Sequence, residues 1–431
     1  MTTPATALTL PATSPGPAAT PSVKHRRAVE ALRAGVPSAD AVALLGSGQS
    51  EIEDKFLELL GAVRAGTAGG MLIGGGFGSG KSHLLEHLTQ LALVEGYAVS
   101  RVVVSKETPL HDQVKVFRAA AEAAIVAEGK GPAIPEAAAR LDVQSPAYAE
   151  LLRWAVSPAA GLNERFAASL VLYAKTRERD PELADELVRF WCGDPLSVSR
   201  LRRGLKDAGE ARTALSPVSV KALGEQRLSF ATRLLAAAGC AGWLVLFDEV
   251  ELIGRYSVLQ RAKSYARIAR WIRGKHDAPG LPLAAVLAMT DDFEAAVVTG
   301  KKDKDTIPAK LRASTAPDSA DLATDAVLGM RIIDREMTLL TPPDTVELDR
   351  TYQQLKQVHG AAFGWNPPEV EGLERLGATR MRQYIRAWIN EWDLVRLDSG
   401  FRPQTIAVDV ASDYREDADL EGGGVDESEG D

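Results

Sequence analysis

The sequence predicts an α/β fold: a parallel sheet flanked by helices, with a large helical insertion between two strands and a helical lid after the last one. Three observations carry that expectation. A glycine-rich stretch at residues 74–82 lies between a short apolar run, Met71-Leu72-Ile73, and an amphipathic run at residues 83–88, which is the order strand, loop, helix. Two more apolar runs, residues 243–247 and 283–289, end in Asp248-Glu249 and Thr290-Asp291-Asp292, as buried strands do when their tips reach a crevice. Residues 110–240 carry helical spacing and almost no strand signal. That interval is far longer than a strand–helix alternation needs.

With 431 residues the chain exceeds one ordinary core, so about two or three packed units are expected. Hydrophobic content of 45% and charged content of 25% match a soluble globular protein. There is no apolar run of membrane-spanning length and no basic start followed by an apolar core, so neither a membrane span nor a secretory signal is expected. Cys192 and Cys240 are the only cysteines and lack metal spacing, which points to a reducing, cytoplasmic setting. The net charge of −8 resides in the tail, where residues 413–431 hold nine acids against Arg415. The rest of the chain is near neutral, which neither supports nor excludes a local basic surface for nucleic acid.

Taken in order, residues 1–24 are rich in Pro, Ala, Thr and Ser and are expected to be disordered. Lys24-His25-Arg26-Arg27 reads as a solvated helix start. Helical spacing follows at 28–34, 39–45 and 51–60, and residues 36–47 are the candidate contact for a nucleotide base. Gly75, four spacers and Gly80-Lys81-Ser82 then fit the phosphate-loop pattern. Glycines let the backbone approach an anion closely, and successive N–H groups of Gly75, Gly76, Phe77, Gly78, Ser79, Gly80, Lys81, Ser82 and His83 would cradle the phosphates of ATP. Lys81 would reach the β- and γ-phosphates, and the Ser82 hydroxyl would serve as a Mg²⁺ ligand. His83-x-x-Glu86-His87 mimics an inverted zinc-protease spacing, but it belongs to the helix that opens at this loop, and no third ligand accompanies it.

A second strand is expected at 98–104, ending in Lys106-Glu107, which would line the crevice or simply turn. Helical runs follow at about 112–127, 147–157, 163–177, 181–191, 196–207 and 219–238. Within them, Arg200-Leu201-Arg202-Arg203 is either a solvated face or a DNA contact, and Trp191-Cys192 reads as core. At the end of the third strand, Asp248 would hold Mg²⁺ through its water shell, while Glu249 would orient and deprotonate the attacking water. Arg255 points to nucleotide or partner. A helix at 258–273 and the strand at 283–289 come next. Residues 299–316, with mixed charge, are expected to form a mobile loop, and a last strand near 337–341 closes at Pro342-Pro343. Three helices are expected at 344–358, 369–376 and 379–397. The organisation is thus a core at 25–343, a lid at 344–410 and an acidic tail at 411–431.

These motifs resemble the P-loop NTPases of the AAA+ type, of the initiator-like kind. More narrowly, Arg27-Ala28-Val29-Glu30-Ala31-Leu32-Arg33-Ala34-Gly35-Val36-Pro37, the loop with His83-Leu84-Leu85-Glu86, Val104-Ser105-Lys106-Glu107-Thr108-Pro109-Leu110, and residues 241–257 are similar to the BrxD ATP-binding proteins of BREX phage-defence systems. The likeness runs from about residue 25 to 410. It implies an ATPase using ATP and Mg²⁺, with Thr290 positioning the lytic water (sensor 1). An arginine before the last strand, Arg335 or Arg331, would act on a neighbouring subunit's γ-phosphate in a homo-oligomer. Arg380 or Arg382 in the lid would contact phosphates (sensor 2). The implied role is a defence component acting on DNA or on a helicase partner as remodeller or loader. A nucleotide-gated scaffold with secondary hydrolysis is the alternative, and a phosphotransferase is a third class with no acceptor signature.

Overall fold

The structure, a computed structural model, describes residues 22–210, 214–276, 278–370, 381–398 and 400–401. Three helices, α1 (Val23–Ala34), α2 (Ala39–Leu45) and α3 (Ser50–Arg64), precede strand β1 (Gly69–Gly74) and helix α4 (Lys81–Val94). Strand β2 (Ala98–Val103) leads into seven helices: α5 (Gln113–Glu122), α6 (Ala133–Arg140), α7 (Pro146–Ala155), α8 (Glu164–Thr176), α9 (Pro181–Cys192), α10 (Val198–Asp207) and α11 (Val220–Ala237). The chain then forms β3 (Trp243–Asp248), α12 (Val258–Ile272), β4 (Leu283–Met289), α13 (Asp303–Arg312), α14 (Ser319–Arg335), β5 (Met337–Leu339), α15 (Thr345–Phe363) and α16 (Met381–Leu397).

The five strands make one parallel sheet in the order β2-β3-β4-β1-β5. Every residue of β3 and β4 is buried, which is why both read as unbroken apolar runs rather than alternating ones. Successive side chains still face opposite ways. Ile73, Leu244, Leu246, Ala284 and Val286 pack with Phe56 and Leu60 of α3 and with Leu84, Leu85 and Leu88 of α4. Leu72, Val245, Phe247, Ala285 and Leu287 pack on the other face, with Phe117, Phe230, Leu234, Tyr265 and Ile332. Each large side chain so withdrawn from water contributes about 1.5–3 kcal/mol. The glycine at the end of β1 is set by its neighbour: a Cβ on Gly74 would lie 2.2 Å from the Met337 sulfur of β5.

Helices α5–α11 form the expected insertion between β2 and β3, and their core is continuous with that face of the sheet. Six of these helices start where a side chain accepts a backbone N–H of the first turn, from Asp112, Ser145, Asn163, Asp180, Ser197 and Ser219. Trp191 is fully buried and donates to Ser169 Oγ at 2.8 Å, and burial pushes the Cys192 thiol up to about 12, so the pair is core. Helix α6 lacks a side-chain cap, and helical spacing does not single it out in the sequence.

Residues 299–316 are not the loop expected from their charge. A π-helical turn (Glu294–Thr299) and α13 occupy most of that stretch. Asp303, at the start of α13, is fully buried and accepts hydrogen bonds from Arg261 Nε at 2.8 Å, Arg261 Nη2 at 2.9 Å and the Tyr265 hydroxyl at 2.8 Å. Composition reports the charge there but not its burial and pairing. Helix α14 likewise fills a stretch that the sequence reading leaves without an element.

The chain divides into two units, residues 47–342 around the sheet, and residues 22–46 together with those from 343 to 401. Residues 25–46 do not pack with the sheet core to which their position before β1 assigns them. Instead, Ala28, Val29, Leu32, Ala41 and Leu45 share a core with Tyr352, Leu355, Trp388 and Trp392. There His359 is fully buried and satisfied at both ring nitrogens, by Trp365 Nε1 at 3.0 Å and Asp393 Oδ1 at 3.2 Å. The helix expected at 369–376 falls largely on residues outside the described ones, as do Thr379 and Arg380. Among the described residues, no helix is long and apolar enough to cross a membrane.

Candidate nucleotide site

Parallel neighbours end on the same edge, so the sheet brings the tips of β1, β2, β3 and β4 to one side. The glycine loop leaves β1 there, held by Gly75 N donating to Met289 O at 3.2 Å and Leu340 N donating to Gly74 O at 2.7 Å. Gly80, with φ of +106°, turns the chain into α4 and is its N-terminal cap. A Cβ at Gly80 would meet nothing within 4 Å, and one at Gly76 would meet only the Asp291 carboxylate, at 3.9–4.0 Å. Open space therefore lies over the loop, where the positive end of α4 is directed. The Ser79 Oγ is buried without a hydrogen-bond partner.

Lys81 is 9% exposed, and its Nζ donates to Gly75 O at 2.7 Å and Gly76 O at 3.2 Å, with the Phe77 ring 5.6 Å away. The ammonium is thus folded onto its own loop. Ser82 and His83 are half-buried in the first turn of α4. Asp248, 4% exposed, ends β3. Its Oδ1 accepts the Glu249 N–H at 3.0 Å, and its Oδ2 accepts Arg101 Nη2 at 2.6 Å. The other guanidinium nitrogen of Arg101 lies 3.8 Å from Glu86 Oε2 on α4, so one side chain spans from the loop helix to the tip of β3. Glu249 itself takes a left-handed backbone, φ 57°. Thr290, 1% exposed, follows the last residue of β4, which pairs with Gly74.

Two residues enter the site without having been singled out from sequence. Arg101 is one, in the middle of a strand that otherwise reads as β-branched and small. Glu251 is the other: it is 3% exposed, and its Oε2 lacks a hydrogen-bond partner. Burial pushes its carboxyl up to about 7, with the Lys81 ammonium pulling the other way and the Glu249 and Asp248 carboxylates adding to the rise. Lys81, Asp248 and Glu249 therefore all lie close enough to act on the Glu251 carboxyl.

The arginines sort differently. Arg331 is exposed on α14 with no ion-pair partner among the described residues, and Arg335 is exposed, 3.8 Å from Asp334. Arg382 lies beside Gly35 within its own unit, while Arg380 is outside the described residues. Glu107 accepts from Ser105 Oγ at 3.0 Å in a local turn. His87 Nε2 is 3.1 Å from Glu53 Oε1. Among the described residues no group of three or more His, Cys, Asp or Glu side chains is placed to hold a metal ion. Magnesium needs no such cage, since it takes most of its ligands from water and phosphate and one or two from the protein.

The side chains fit a triphosphate with its magnesium: a hydroxyl at Ser82, a carboxylate at Asp248 and an ammonium at Lys81 beside the open space at the start of α4, while the Gly75 and Ser79 N–H groups donate within the protein, to Met289 O and Gly76 O. Comparison with curated proteins and with solved structures gave no match. A match does arise over residues 21–137, which contain the loop, α4 and β2, to the family model described as BREX system ATP-binding protein BrxC/D. Over that segment, and on that match, the chain is similar to the BrxC/D ATP-binding proteins.

Proposed function

We propose that the chain binds ATP with Mg²⁺ at this site and hydrolyses it, as an AAA+-like P-loop ATPase of a BREX system in the cytoplasm. The observation that supports this most is the meeting of the glycine loop and the Asp248-Glu249 pair on one sheet edge, spanned by Arg101. The strand order supports it too, since β4 lies between β1 and β3 and so sets its polar tip between loop and acids.

In the working site the loop N–H groups bind the phosphates, and Lys81 leaves the Gly75 and Gly76 carbonyls for the β- and γ-oxygens. Ser82 and Asp248 would hold Mg²⁺, which when bound supplies charge neutralisation at the phosphates. Glu249 orients and deprotonates the attacking water, and Thr290 steadies it. Arg331 or Arg335 reaches a neighbouring copy. The energy of the cycle goes to a DNA- or helicase-associated partner as remodelling or loading. The near-neutral body predicts weak, salt-sensitive DNA contact.

One observation favours a second reading, in which ATP sets conformation and hydrolysis is secondary. Lys81 and both Asp248 oxygens are already engaged within the protein, so ligand binding has to rearrange them. The test is a pair of variants measured for ATP binding, turnover and phage restriction. Lys81→Ala is expected to lose nucleotide binding. Glu249→Gln is expected to keep it while turnover falls roughly 100-fold or more. Wild-type turnover in Glu249→Gln would sink the assignment of the base, and wild-type restriction without turnover would select the gated reading.

A further inference from the structure

Arg101 is the part of this edge that the motifs do not account for. A charged side chain in the interior of a strand whose neighbours are Val99, Ser100, Val102 and Val103 has to be compensated, and here the compensation is specific. Arg101 pairs in register with Leu246, and its side chain runs along the sheet to Asp248, two residues further on. Six register pairs already join β2 to β3, so the ion pair is not needed to hold the two strands together. What it does is balance a carboxylate whose side chain is only 5% exposed, while Arg101 itself remains 24% exposed. A buried carboxylate with no partner is strongly destabilising. A guanidinium does not give up its proton near neutral pH, so this balancing charge cannot be switched off.

We infer that Arg101 is a positioning residue that serves as the resident counter-cation of Asp248 and sets how much magnesium adds to nucleotide affinity. The inference rests on the nucleotide reading above and goes one step past it. With Asp248 Oδ1 held by the Glu249 N–H and Oδ2 by Arg101, a divalent cation must either displace the guanidinium or share the carboxylate against its charge. Glu86, 3.8 Å from the second guanidinium nitrogen, gives the displaced group somewhere to go. The loaded and unloaded states then differ by which cation Asp248 faces, and Arg101 keeps Asp248 aimed at the site in between. Magnesium is the chemical class that competes; the nucleotide is the ligand that brings it.

The experiment is a fluorescent ATP analogue titrated into the full chain, with Mg²⁺ and with EDTA, the readout being the ratio of the two dissociation constants. Arg101→Gln is expected to enlarge the magnesium advantage roughly tenfold, from relief of like-charge repulsion at partly screened distance, with little change in EDTA. Arg101→Lys, which keeps the charge, is expected to retain the wild-type ratio. In an Asp248→Asn background, adding Arg101→Gln is expected to change nothing, because the carboxylate through which Arg101 acts is gone. That double variant carries neither charge and is the folded comparison should Arg101→Gln alone lose its thermal transition. An unchanged ratio in folded Arg101→Gln, or a shift that persists without Asp248, would overturn the inference while leaving the nucleotide reading intact. No binding of the analogue to wild-type protein would instead overturn the nucleotide reading itself.

Discussion

Glu251 is where the electrostatics of single residues bear most directly on stability. Its folded-state pKa of about 7 lies above the ordinary value of 4.5, for reasons led by burial. Between those two values the folded protein holds a proton that the unfolded chain releases, so stability falls as pH rises through that window. Above it the full penalty is present; below about 4.5 it is absent. Glu251→Gln mimics the protonated form and is therefore expected to stabilise the protein by about 1–3 kcal/mol at pH 8 and hardly at all at pH 5. Urea unfolding at the two pH values checks this, and equal gains at both would show that the residue is not protonated in the way its burial implies. The pair Asp248-Glu249 was visible in sequence because an apolar run leads straight into it. Glu251 was not visible, because three acids in four residues read as a polar strand end, and only the fold buries the third.

Elements show the same contrast between pattern and placement. Strands β3 and β4 could be bounded almost to the residue, since a strand buried on both faces has to be apolar throughout. Most insertion helices could be found from spacing and from the Ser, Asp and Asn residues that cap them. Helix α13 could not, because its first turn carries Asp303, Lys304 and Asp305, and nothing local distinguishes the one that is buried. The distinction is made by Arg261 and Tyr265, some forty residues earlier on α12, and pairing across such a separation leaves no periodicity. Asp303→Ala strands the Arg261 guanidinium in the core and is expected to destabilise by about 3–5 kcal/mol. Asp305→Ala, exposed and acting only on the helix dipole, is expected to lose no more than about 0.5–1 kcal/mol. Denaturant midpoints of the two variants measure the difference, and similar losses would mean that the buried pair does not anchor the element.

At the scale of the molecule, order in the sheet and division into units were the least accessible to sequence. Composition marks strands but not neighbours, and the interposition of β4 between β1 and β3 is a property of the fold alone. Likewise nothing local tells that α1 and α2 bury Val29 and Leu45 with Trp388, because an amphipathic helix does not name its partner. What the sequence does carry to this scale is the arginine-bearing end of α14. Among the described residues Arg331 is exposed there without an ion pair, whereas Arg335 has Asp334 at 3.8 Å. An exposed cation with no ion pair among the described residues is suited to a neighbour's developing phosphate charge, so Arg331 is the stronger candidate to act in trans. The expected behaviour is an ATPase rate per chain that rises with protein concentration. Arg331→Ala should lower the plateau at least roughly tenfold, and Arg335→Ala should have the smaller effect. Mixing Arg331→Ala with Lys81→Ala is the sharper measurement. Neither variant turns over well alone, yet a mixed assembly pairs an intact loop with an intact arginine and should recover activity. A rate independent of concentration, together with no recovery on mixing, would place the arginine's role inside its own chain and leave hydrolysis to a single copy.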